Sequence, residues 1–77
     1  MNYIAKIMGD ELKRELSSGC DIVRIARMAF RIYHEHGLEL SEKLDEIVLT
    51  LMAMEEGPEF ELSECELRDL IKFLEKM

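Results

Sequence analysis

The chain has 77 residues, with 10 Lys plus Arg against 17 Asp plus Glu, a net charge of -7 and 48% hydrophobic residues. That composition fits one globular domain, residues 1–77, and excludes both a second domain and a disordered chain. The longest apolar run, Ile47 to Met54 with Thr50 inside it, falls far short of the about 20 residues that a membrane span needs. Met1 to Met8 shows no secretory pattern, so a cytoplasmic setting without membrane contact is expected.

Gly9, Gly19, Gly37, Gly57 and the single proline, Pro58, punctuate the chain. Between them the apolar spacing is helical, and no stretch alternates as a strand would. The first predicted helix runs from about Asn2 to Ser17. Ile4, Met8, Leu12 and Leu16 stand four apart on one ridge, with Ile7 beside them. Gly9 interrupts this stripe and Asp10 offers a cap for a fresh start, so the reading allows a break there. Gly19 supplies the stop.

The second predicted helix runs from about Asp21 to His36. Ile22, Ala26, Ala29 and Tyr33 share one face, which Val23, Ile25, Phe30 and Ile32 widen; it reads as the most buried helix. Asp21 suits its start, and Gly37 suits a left-handed residue after its end. The third, Glu42 to Glu56, begins at the cap Ser41. It carries Leu44, Ile47, Val48, Leu51 and Met52 at helical spacing, and Gly57-Pro58 stops it. The fourth begins with a capping box, Ser63 with Glu66 three residues on, flanked by the hydrophobic pair Leu62 and Leu67. Leu67, Leu70, Ile71, Leu74 and Met77 then follow one face. The expected fold is all-α, a compact bundle of about four short amphipathic helices held by mutual packing.

The motifs of common chemistries are missing. No glycine-rich phosphate loop, nucleophile elbow or zinc-binding helix signature occurs. His34 and His36 lie two apart on a helix and point to different sides, so they do not form a metal pair; a solvated helix end is expected. Cys20 and Cys65 belong to no CxxC pair and read as small semi-buried thiols in a reducing setting. A bridge between them requires their helix-start regions to meet in space. Carboxylates are abundant, but acid–base catalysis needs an enclosed pocket that shifts their pKa values, and a thin bundle rarely builds one. No enzyme, cofactor or metal is therefore expected.

Charge is the informative feature. Residues 1–37 hold five acids and six bases, and residues 38–77 hold twelve acids and four bases. From Ala53 to Glu66 there are six acids and no base. Glu64 and Glu66 suit the start of helix four. Glu55 and Glu56 sit at the end of helix three, where the dipole opposes them. Phe60, among these acids, is either a plug holding the loop to the core or an aromatic anchor in a binding surface. Arg24, Arg27 and Arg31 share a face of helix two, as a small basic patch or as partners for acids of helix three or four. The acidic net charge opposes nucleic-acid binding, although this arginine face keeps a nucleic-acid-binding module as a third reading.

An acidic surface favours a basic protein partner and speeds encounter with it. Nucleases are such partners, because their clefts attract phosphate. The stretch Leu51-Met52-Ala53-Met54-Glu55-Glu56-Gly57-Pro58-Glu59-Phe60 with Leu62-Ser63-Glu64 resembles parts of small helical bacterial immunity proteins, of the contact-dependent and bacteriocin toxin systems. The resemblance covers about a third of the chain and implies a role only: binding and neutralising one cognate toxin in the cytoplasm. The candidate partner-binding residues are Glu42 and Glu46 on helix three, then Glu55, Glu56, Glu59, Phe60 and Glu61. The alternative is a homodimeric helical adaptor or regulatory protein, because a chain this short has a thin core that a second copy would extend.

Overall fold

A computed structural model describes residues 3–77, which form four helices: α1 (Tyr3–Ser17), α2 (Ile22–His36), α3 (Glu42–Ala53) and α4 (Glu64–Glu75). Three short 3-10 turns, Gly37–Glu39, Met54–Glu56 and Pro58–Phe60, complete the connections. No strand occurs among the described residues, so the chain is the all-α bundle that its spacing predicts.

In α1 the expected ridge of Ile4, Met8, Leu12 and Leu16 is buried. The helix nevertheless runs unbroken through Gly9, against the break that glycine allowed. Gly9 is buried where α1 approaches α4, and a Cβ there would stand 3.8 Å from Leu74 Cβ. Asp10 caps nothing and instead lies 3.4 Å from Lys6, one turn earlier on the exposed face. The helix closes in a Schellman motif: Cys20 N–H donates to Glu15 C=O, and Gly19 N–H to Leu16 C=O. Gly19 has φ +116° and Cys20 φ +52°, so two left-handed residues turn the chain sharply into α2.

Asp21 caps α2 by accepting from Val23 N–H and Arg24 N–H. The buried stripe is Ile25, Ala26, Met28, Ala29 and Ile32. This corrects the expected face, because Val23, Phe30 and Tyr33 are exposed. Gly37 is right-handed, φ -51°, and carries the chain into a 3-10 turn rather than ending α2 in a left-handed residue. Ser41 Oγ caps α3 from Leu44 N–H, and Leu44, Ile47, Val48 and Leu51 face inward. The capping box of α4 is present in both directions, Glu66 N–H to Ser63 Oγ at 3.1 Å and Ser63 N–H to Glu66 Oε1 at 2.9 Å. Leu67, Ile71 and Leu74 are buried, whereas Leu70 is half-buried.

The helices pack as α1 on α4 and α2 on α3, with α1 also meeting α2. Their apolar stripes meet in one cluster that contains no buried polar residue among those described. Each fully buried Leu, Ile or Met contributes about 1.5–3 kcal/mol relative to exposure, which offsets the ordering of helices too short to persist alone. On the surface, Lys13 of α1 and Glu75 of α4 clasp the first pair. The hydrogen bond to Glu75, then its charge, raises the Lys13 pKa above the ordinary 10.5. This contribution is therefore complete at neutral pH and fades as pH rises through the raised value.

Candidate functional site

The acidic connection between α3 and α4 is shaped by one apolar residue. Met54 is buried, at 1% exposure, and draws the end of α3 into a tight 3-10 turn. That turn sends Glu55 and Glu56 out to solvent. Gly57 is extended, and Pro58 opens the second 3-10 turn, closed by Phe60 N–H to Gly57 C=O at 3.0 Å and Glu61 N–H to Pro58 C=O at 3.2 Å. The Glu59 carboxylate folds back over Gly57, where a Cβ would come within 3.1 Å of its oxygens. Phe60 is 48% exposed. It is no plug; Met54 holds the connection to the core instead.

Among the described residues, Glu42, Glu55, Glu56, Glu59 and Glu61 form no ion pair. Glu46 lies 3.8 Å from Lys43, an exposed pair that contributes little. Glu42 sits in the first turn of α3, where the dipole favours it, and shares the outward ridge with Glu46 four residues on. The seven candidate residues thus fall into two groups. Glu55 to Glu61 stand together on one connection, and Glu42 with Glu46 stand on α3. Glu46 borders the depression between α3 and α4, beside Glu66 and Asp69.

A feature absent from the sequence reading lies beside Glu55 and Glu56. An open groove of about 510 Å³ runs between α2 and α3. Its α2 wall is Ala26, Arg27 and Phe30, and its α3 wall is Leu49, Met52 and Ala53, ending at Glu55 and Glu56. Phe30 is 58% exposed and Leu49 46%. Phe30 also borders a second depression that reaches Tyr33 and the fully exposed Leu38. The sequence carried half of the signal: α2 is apolar around more of its circumference than one buried stripe uses, but the facing wall on α3 is set by packing.

The arginine face divides. Arg24 Nε lies 3.0 Å from Glu15 Oε1 and Arg31 Nη2 lies 2.6 Å from Glu11 Oε2. Those acids belong to α1, not to helix three or four as expected. Arg27 has no ion pair among the described residues. His34 stacks flat against Phe30, ring centroids 6.5 Å apart, and His36 Nδ1 lies 3.0 Å from Glu39 Oε2. No group of side chains suited to a metal ion occurs among the described residues. Cys20 is half-buried, while Cys65 is exposed rather than semi-buried; both are free thiols. No helix among the described residues is long and apolar enough to cross a membrane.

These observations define a small helical bundle whose notable surface is acidic and apolar. Compared with protein-family models, with curated proteins and with solved structures, the chain matches none.

Proposed function

We propose that this is a non-enzymatic, acidic protein-binding protein that acts as an immunity protein: it neutralises a cognate toxin, of nuclease type, by covering that toxin's basic active-site or substrate surface. The observation that carries the reading is the row Glu55, Glu56, Glu59 and Glu61 around the half-exposed Phe60. These carboxylates have no ion pair within the described chain, and two of them oppose the dipole of α3. An aromatic anchor ringed by charges is a common arrangement for a recognition surface, and the charges speed encounter with a basic partner. Binding of this kind is stoichiometric and takes place in the cytoplasm, where a toxin would otherwise act.

The test is a cleavage assay with the nuclease encoded beside this gene. An equimolar amount of the protein abolishes cleavage. Replacing Glu55, Glu56 and Glu59 with Gln leaves the helical content intact and weakens binding, chiefly through a slower on-rate and a flatter salt dependence. Unimpaired cleavage in excess protein overturns the reading. So does a result in which Arg24, Arg27 and Arg31 changed to Gln abolish binding and the glutamate set does nothing. A homodimeric adaptor or regulatory protein is the second reading, and the exposed apolar groove between α2 and α3 supports it.

A further inference from the structure

The groove between α2 and α3 presents two features to solvent. One is apolar surface, Phe30 facing Leu49 and Met52, continued past Phe30 to Tyr33 and Leu38. The other is charge. Arg27 stands on the α2 wall, and the acids nearest it on α1, Glu11 and Glu15, are already engaged by Arg31 and Arg24. Glu55 and Glu56 stand on the opposite wall. The groove therefore has one positive and one negative lip.

Such a groove is complementary to its own copy. A half-turn about an axis along the groove lays α2 of each copy over α3 of the other. Arg27 of each copy then meets Glu55 and Glu56 of the other, and each Phe30 meets the Leu49–Met52 wall across the interface. Two-fold symmetry makes every contact twice. A uniformly basic partner would instead face Arg27 as a like charge, and an acidic one would face Glu55 and Glu56.

We propose that a second copy of this chain occupies the α2–α3 groove, in a two-fold dimer with Phe30 as its central anchor and Arg27 paired across the interface to Glu55 and Glu56. This rests on the dimeric reading, not on toxin binding. Glu59, Phe60 and Glu61 lie outside the groove lining, and Glu55 and Glu56 border both surfaces.

The test is sedimentation equilibrium of the purified chain, without any partner, from micromolar to millimolar concentration, with circular dichroism to check each variant's fold. The wild-type mass rises toward twice that of the chain. Phe30→Gln, on an exposed position, keeps the helical signal and raises the dimer dissociation constant about 30-fold or more. Arg27→Glu alone and the Glu55→Lys, Glu56→Lys pair alone each weaken the dimer. Mixing those two variants restores it, because the opposite signs again face one another. A wild-type chain that stays monomeric throughout overturns the dimeric reading and the interface together. A dimer that forms but ignores Phe30→Gln, or whose charge variants are not rescued by mixing, overturns this interface and leaves dimerisation standing.

Discussion

The α1–α4 pair and the α2–α3 pair each bury an apolar stripe, and they differ in what they do with the surface outside it. Across α1 and its neighbours the charges are matched: Lys6 with Asp10, Lys13 with Glu75, Glu11 with Arg31 and Glu15 with Arg24. The exposed ring of Phe73 on α4 lies under the Lys43 ammonium, 5.5 Å from its centroid. On the α2–α3 side, Phe30 and Leu49 border the open groove, and Arg27, Glu55 and Glu56 have no ion pair among the described residues. The paired charges of α1 serve the folded bundle, whereas Arg27, Glu55 and Glu56 beside the groove are surface available for contact.

Truncating one leucine on each side tests that separation most severely. Leu12, fully buried, loses about 2–5 kcal/mol as Leu12→Ala. Leu49→Ala changes stability by only about 0.5 kcal/mol, since Leu49 already meets water. Urea denaturation of the two variants reads the difference, and equal losses would make the groove wall part of the core. Next in size, Ser63→Ala removes an acceptor from the capping box and costs about 0.5–2 kcal/mol in thermal unfolding. The smallest effect has the opposite sign. Gly9→Ala stabilises by about 0.5–1 kcal/mol, because the helix prefers alanine and the added Cβ meets Leu74 at an ordinary contact distance. A loss there would show that α1 and α4 need a closer approach than 3.8 Å.

The comparison also shows what the sequence could and could not convey. Local chemistry was legible. Ser41, Asp21 and the Ser63–Glu66 box mark helix starts through bonds made within three residues, and all three form. The ridge of α1 and the inward face of α3 were legible because each helix has one narrow apolar arc. On α2 the apolar arc is broad, so spacing alone did not choose between a core through Tyr33 and the actual one through Met28 and Ile32. Gly9 and the arginine partners depend on which helix lies alongside, which periodicity does not encode. The same reason hid the groove. The acids of the candidate site were visible as charge, whereas the apolar surface next to Glu55 and Glu56 appears only when α2 and α3 are side by side.

The paired 3-10 turns between α3 and α4 carry a kinetic consequence. From Gly57 to Glu61 the backbone is closed by two short-range bonds, Phe60 N–H to Gly57 C=O and Glu61 N–H to Pro58 C=O. Each opens without unravelling a helix, so these amides trade hydrogen for deuterium with the solvent far sooner than those of the buried helical turns. The most acidic connection in the chain is thus displayed on backbone that breathes easily, while Met54 keeps its near end fixed. A bound partner would slow that exchange locally, leaving its footprint in the timing of the Phe60 and Glu61 amides.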